Sequence, residues 1–380
     1  MQEKIYTVIM RGGTSKGLFF KKKDMPFFSD KEKRDRIILS LFGSPNPMQI
    51  DGLGGSHSVT SKMMIIEPSN RQSFDIDYTF GQVAIDKPLV DYGGNCGNLT
   101  SAIGAFAIDE DMVKIEEPIT KLTLYNTNTK KKIIAEIPVE NGKVKIEGEY
   151  IIDGVPGTGA KIITRFIDPG GSFTGSVLPT GNVIDEINTG QEIIRCSIVD
   201  VSNPVVFVRA EDIGLSGEEL PSQLDADKQM LAKIERIRSA AAEIIGIVKD
   251  RKIATNVSPG IPKIAFVAKS KNYITSLGKE VTKEEIDLVA RIMSMQKMHP
   301  VYAVTGAMCT AAAAKIKGTV VHSVMSEPNS EEIVIGHPKG LIKISVKMSS
   351  NLEGKALRVN EVIVARTARR LMEGYAYYRI

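Results

Sequence analysis

The chain has 380 residues, of which 42% are hydrophobic and 25% charged, an ordinary globular make-up that excludes disorder over most of its length. The formal charge of +4 is too small to mark a nucleic-acid binder and suits a protein that handles small anions. Three cysteines exclude a disulfide scaffold, no apolar run reaches the roughly 18 residues of a membrane helix, and the first residues lack a signal peptide's apolar core, so a cytoplasmic chain without nucleic-acid or membrane partners is expected.

In chain order, residues 5–10 predict a strand that ends at Arg11-Gly12-Gly13. Ser29-Asp30-Lys31-Glu32 has capping-box spacing and opens an amphipathic helix to Phe42. Lys62 leads into the apolar strand 63–66, and residues 74–80, 121–125, 132–139 and 143–146 predict further strands between Asn, Gly and polar breaks. Residues 193–201 predict another, and 223–248 one long helix without Gly or Pro before Gly246. Thr282-Lys283-Glu284-Glu285 repeats the capping pattern and predicts a helix over 286–295. Many strands with scattered helices make an α+β protein rather than a regular βαβ repeat.

One internal echo bears on organisation. Gly93-Gly94-Asn95-Cys96-Gly97-Asn98 precedes the small-residue run 102–107, and Thr305-Gly306-Ala307-Met308-Cys309 precedes Ala311-Ala312-Ala313-Ala314. Each reads as a Gly-containing turn, a cysteine and a helix slim enough to be wrapped by a sheet. Two related lobes are therefore expected, 1–184 and 185–380, with the break near Thr180-Gly181-Asn182 and the last strand able to return to the first lobe.

The chemistry-bearing residues cluster near these turns. Cys96 stands at a predicted helix N-terminus with Gly and Asn on both sides. Free N–H groups and the helix dipole favour a thiolate there. Cys309 sits in a more apolar setting and reads as structural, as does Cys196 inside its strand. Arg11-Gly12-Gly13-Thr14-Ser15-Lys16-Gly17 offers backbone amides, hydroxyls and a cation for a carboxylate or phosphate, but lacks Walker A spacing. In Asp51-Gly52-Leu53-Gly54-Gly55-Ser56-His57-Ser58-Val59-Thr60-Ser61-Lys62 the terminal lysine is either a solvated surface cation or, if it points into a cleft, a base with a depressed pKa. His57, His299, His322 and His337 show no ligand spacing and there is no CxxC pair, so no metal is expected. Neither a GxSxG elbow nor a GxGxxG turn after a strand is present.

Taken in order, these stretches resemble the PrpF-like family of the diaminopimelate epimerase-like fold. The resemblance rests on Arg11 to Gly17, Asp51 to Gly55, Gly94-Asn95-Cys96-Gly97-Asn98, Pro156-Gly157-Thr158-Gly159-Ala160 and Leu178-Pro179-Thr180-Gly181-Asn182. It continues through Ser202-Asn203-Pro204, His299-Pro300, Thr305-Gly306-Ala307, Gly336-His337-Pro338 and Arg366-Thr367-Ala368-Arg369-Arg370-Leu371-Met372-Glu373-Gly374. It implies two lobes, each a curved mixed sheet around a central helix, with the active site in the interlobe cleft.

It also implies cofactor-independent proton transfer on a small unsaturated di- or tricarboxylate, with a homo-oligomer allowed. The implied reaction moves a C=C bond, most closely from 3-methylitaconate (2-methylene-3-methylsuccinate) to 2,3-dimethylmaleate. Isomerisation of 2-methylaconitate and tautomerisation of oxalomesaconate are alternatives within the family. A non-catalytic accessory protein for an aconitase-type enzyme and a two-thiol racemase are the competing classes. Lys62 and Cys96 match the family's acid/base pair, with Thr14, Ser15, Lys16, Asn95, Gly97, Asn98, Asn203, His299, Thr305, Gly306, Ala307 and Met308 expected around the substrate.

Overall fold

In the computed structural model, which describes residues 1–326, 330–349 and 357–379, each small-residue run becomes the central helix of its own unit. One unit is Met1–Arg165 with Ala365–Ile380, the other Phe166–Val364. The chain leaves the first unit within the strand Ile162–Ile167, not at Thr180-Gly181-Asn182, and returns within Arg358–Arg366.

The first unit runs β1 (Gln2–Gly12), β2 (Ser15–Lys21), α1 (Lys31–Phe42), β3 (Lys62–Pro68), β4 (Ile76–Val83) and α2 (Gly97–Asp109). It continues with Ile119–Asn126, Lys132–Glu140 and Lys143–Val144, and takes in the last strand, Ala368–Arg379. Across its sheet the order is Ala368–Arg379, β1, β2, β3, β4, Ile119–Asn126, Lys132–Glu140, Lys143–Val144. Successive pairings are antiparallel, antiparallel, parallel, antiparallel, parallel, antiparallel and antiparallel. Parallel neighbours need a crossover, and α1 and α2 lie in the two crossovers. Gly97–Ile108 of α2 is buried along its whole length, packed against β1, β2, β3 and Lys132–Glu140.

The second unit has the same plan. Its order is Asp185–Asn188, Ile193–Val201, Asn203–Arg209, Lys263–Lys269, Leu288–Ser294, Glu332–His337, Gly340–Ser349 and Arg358–Arg366, and the pairing directions repeat those of the first unit one for one. The helices Lys228–Ile244 and Val304–Lys315 fill its two crossovers. Val304 to Ala314 are buried against Ile193–Val201, Asn203–Arg209 and Gly340–Ser349. Both units are therefore curved mixed sheets around a central helix, the α+β architecture expected.

Several local expectations are corrected. Asp30, not Ser29, caps α1 by accepting from Lys33 N at 3.2 Å. The stretch 223–248 is not one helix, because the Asp227 side chain accepts from Met230 N at 2.9 Å and starts a new one, Lys228–Ile244. The Thr282 capping box is real but closes only the turn Lys283–Glu285. Beyond it Leu288–Ser294 is a strand buried on both faces, Arg291 included, so burial does not alternate along it and no strand period shows. The strand expected over 143–146 is confined to Lys143–Val144. Helix Val304–Lys315 starts five residues before Cys309, so this cysteine lies inside the helix and not at its start.

Candidate functional site

In the first unit, the turn between β1 and β2 is locked to the start of α2. Gly13 has φ +49°, and a Cβ there would lie 2.1 Å from Asn98 Oδ1, so the turn needs glycine both for its backbone and for the close approach. Thr14 N donates to Asn98 Oδ1 at 3.2 Å and Asn98 Nδ2 donates to Thr14 Oγ1 at 2.9 Å. Arg11 Nη1 clamps the turn by donating to the carbonyls of Gly13 and Thr367, both at 3.0 Å. Lys16 is fixed through its backbone, whose N–H donates to Val59 O at 3.0 Å.

Cys96 is the N-cap of α2, with its Sγ accepting from Leu99 N at 3.5 Å and facing Ser15 Oγ at 4.0 Å. Asn95 holds this entry: its Oδ1 accepts from Cys96 N at 2.8 Å and from Thr100 Oγ1 and Tyr78 OH, each at 3.3 Å. Among the described residues, the N–H groups of Gly97 and Asn98 make no hydrogen bond. These are the orphan donors of a helix N-terminus, directed where an anion is stabilised.

Lys62 opens β3 directly opposite Gln82 of β4, and β2 passes beside it at Gly17. A Cβ on Gly17 would lie 2.5 Å from Lys62 O. The Lys62 side chain is only 7% exposed. Its Nζ donates to Gln82 Oε1 and lies 5.5 Å from the centre of the Phe80 ring. Burial pulls the Lys62 pKa below the usual lysine range, and a negative charge on Cys96 opposes that shift. The two groups are thus electrostatically coupled: burial favours the neutral amine and a thiolate favours the ammonium.

In the second unit, Asn203 Nδ2 donates to Thr305 Oγ1 at 3.0 Å, a counterpart of the Thr14–Asn98 tie. The helix start at Ala303 has no side-chain cap, and the N–H groups of Val304, Thr305 and Gly306 make no hydrogen bond among the described residues. Ala307 N–H is engaged with Ala303 O at 2.8 Å, and the Met308 side chain lies in the core. His299 Nδ1 accepts from Val301 N at 3.2 Å. Cys309 is fully buried and donates to Val199 O at 3.2 Å, and burial pushes its pKa well up. Alanine, not cysteine, stands where the second helix begins, so the two units do not carry matched thiols.

Two residues near the first helix start went unnoticed in the sequence. Gln82 is marked only by its register opposite Lys62, which no local pattern announces. Arg366 lies within a recognised motif, but its burial and its bond from Nε to Asn98 Oδ1 at 3.3 Å arise from a strand 268 positions away.

A profile of the family described as PrpF protein matches residues 2–379. The 3-methylitaconate isomerase of Eubacterium barkeri is 47% identical over 378 residues, spanning 99% of this chain and 97% of that protein. The 2-methyl-aconitate isomerase of Shewanella oneidensis is 38% identical, spanning 98% of this chain and 96% of that protein. A solved structure of a methylitaconate-delta-isomerase aligns with a TM-score of 0.78 at 45% identity, covering 99% of this chain and 96% of the other.

Proposed function

The chain belongs to the PrpF family, and we propose that it is an isomerase that moves the C=C bond of 3-methylitaconate to give 2,3-dimethylmaleate, by proton transfer and without a cofactor. The observation that carries this reading is the buried Lys62 amine, held by Gln82 and coupled to the Cys96 thiol at an open helix start. The similarity to the 3-methylitaconate isomerase favours this acid over 2-methylaconitate, the acid named for the more distant relative.

The substrate carries a methylene group on C2 and a hydrogen on C3, which is both allylic and α to a carboxylate. Neutral Lys62 removes the C3 proton. The electron pair moves through C2=CH2 as a dienolate whose charge is shared by a carboxylate. The Cys96 thiol delivers a proton to the methylene carbon, leaving C2=C3 doubly bonded and a new methyl group. One C–H bond breaks and another forms, so no oxidant or reductant is needed. A second proton exchange between Lys62 and Cys96 restores the starting state.

The developing charge needs preorganised donors. Thr14, Ser15, Lys16, Asn95 and the N–H groups of Gly97 and Asn98 form that set in the first unit. Asn203, His299, Thr305 and Gly306 form an anion-holding set in the second. Incubating the purified protein with 3-methylitaconate, 2-methylaconitate or oxalomesaconate in cofactor-free buffer, followed by ultraviolet absorbance, tests the reading. The expected result is turnover of 3-methylitaconate ahead of the other two. Racemisation of proline without any change in these acids would sink it.

A further inference from the structure

We propose that Arg366 anchors a carboxylate of the substrate, pairing its buried guanidinium with that group at the start of α2. The inference deepens the isomerase reading and takes the class of ligand from it.

A buried guanidinium ordinarily has an acidic partner, because an unpaired charge away from water is costly. Arg238, equally enclosed, pairs with Glu235 at 2.6 Å. Arg370 lies between Glu110 and Glu373, both at 2.5 Å. Arg366 is only 5% exposed, yet none of the described acidic side chains comes within ion-pair distance of it. Its protein partners are neutral: Asn98 Oδ1 at 3.3 Å from Nε, and Ala365 O at 2.8 Å from Nη1. Nη2 makes no hydrogen bond among the described residues. Most of the fork's N–H donors are thus left for a planar, two-oxygen acceptor, the geometry that suits a carboxylate. Burial lowers the Arg366 pKa to about 10, which still leaves it charged at neutral pH.

Its surroundings fit the same purpose. Asn98 Oδ1 accepts from both Arg366 Nε and Thr14 N, so the cation is tied to the turn and to the second residue of α2. Gly13 makes room for it, since a Cβ there would lie 2.9 Å from Arg366 Cδ. The free N–H groups of Gly97 and Asn98 belong to that same helix start. Arg291, the other buried arginine of lowered pKa, also leaves Nη2 without a partner among the described residues. It donates, however, to three carbonyls, of Glu219, Ala290 and Gly336, and lies 5.2 Å from the Tyr273 ring centre, whereas Arg366 donates to one carbonyl and is tied to Asn98 at the start of α2.

The test is calorimetric titration of wild type, Arg366→Lys and Arg366→Gln with methylsuccinate, a saturated dicarboxylate that cannot isomerise, and with its uncharged diamide. Arg366→Gln should weaken methylsuccinate roughly 10- to 100-fold, the scale of a charge-assisted bidentate contact, while diamide affinity changes little. Arg366→Lys should fall between, keeping charge without the fork. The melting temperature of unliganded Arg366→Gln should hold or rise, since an unpaired buried charge is removed. Loss of melting temperature with an unchanged preference for diacid over diamide would make Arg366 a structural residue and overturn the inference, as would failure of the wild type to bind methylsuccinate. Failure of the wild type to isomerise any unsaturated acid would sink the isomerase reading alone, because the titrations do not depend on turnover.

Discussion

Lys62 and Gln82 face each other across the β3–β4 pairing, and Gln82 Oε1 accepts the hydrogen bond from Lys62 Nζ. The orientation is imposed from behind: Gln82 Nε2 donates to Ser58 O at 3.0 Å and to Ser61 O at 2.9 Å, so the amide oxygen is the end left for the lysine. A neutral acceptor positions the amine without adding a charge that would keep it protonated. Burial lowers the Lys62 pKa, so the base form becomes available below the usual lysine range.

Gln82→Glu tests this arrangement. A carboxylate beside the amine stabilises the ammonium and raises its pKa, so a higher pH is needed to free the base. The acid limb of the kcat/KM profile should move to higher pH in Gln82→Glu. Gln82→Met adds no charge and should lower the rate through loss of positioning, without that upward displacement. An unmoved acid limb in Gln82→Glu would mean that Lys62 does not titrate in the rate.

The three thiols should separate by chemistry. Burial pushes Cys196 up to about 12 and Cys309 well above the usual thiol range, so both stay protonated and enclosed at neutral pH. Iodoacetamide followed by peptide mass spectrometry should label Cys96 first, with activity lost in step. Cys309→Ser keeps a donor for Val199 O and should retain most of the activity, as should Cys196→Ser, whereas Cys96→Ala should lose far more. Equal losses for Cys96 and Cys309 would restore a symmetric two-thiol mechanism.

The sequence made the site's punctuation legible better than its geometry. Gly12-Gly13-Thr14 and Asn95-Cys96-Gly97 announce themselves because a positive φ and an open helix start call for particular residues, and these are where the structure builds the turn and the N-cap. The repeat was visible as two small-residue runs, since a helix wrapped by strands has little room for large side chains. Aligning the echo on its cysteines was misleading. Cys96 caps its helix whereas Cys309 sits inside one, and the matching feature is the helix start. Gln82 and Arg366 were illegible as site residues because cross-strand register and a return from a distant strand leave no local pattern. The strand Leu288–Ser294 was misread because burial on both faces erases periodicity.

Gly17 ties the β2–β3 register to the candidate base. An alanine there would place its Cβ 2.5 Å from Lys62 O and 2.8 Å from Leu99 Cδ1. The leucine end can move, but the backbone oxygen belongs to a parallel ladder and cannot without shifting Lys62. Gly17→Ala should therefore lower the melting temperature, by an amount equivalent to about 1–3 kcal/mol of overpacking, and lower kcat with it. Thermal denaturation alongside steady-state kinetics checks this. A full loss of stability at unchanged kcat would show that the start of β3 does not position the chemistry.

Removing the amine itself makes the sharpest prediction. Lys62→Ala should stay folded, since a buried ionisable group contributes little to stability and its loss leaves only Gln82 Oε1 without its partner. The carboxylates should still bind, because the donors proposed for them, the N–H groups of Gly97 and Asn98, the Thr14–Ser15 turn and Arg366, are left in place. The rate should fall roughly 10²- to 10⁴-fold, the contribution of a general acid or base, with KM little changed. A residue lost from uniform binding would do the reverse, raising KM and sparing kcat. Solvent deuterium separates abstraction from delivery. In the wild type, the C3 hydrogen of recovered substrate should exchange with solvent, because a protonated amine trades its proton before return. In Lys62→Ala this exchange should stop along with turnover. Wash-in of deuterium at near the wild-type rate in the mutant would assign abstraction to Cys96 and reduce Lys62 to a partner that stabilises the thiolate.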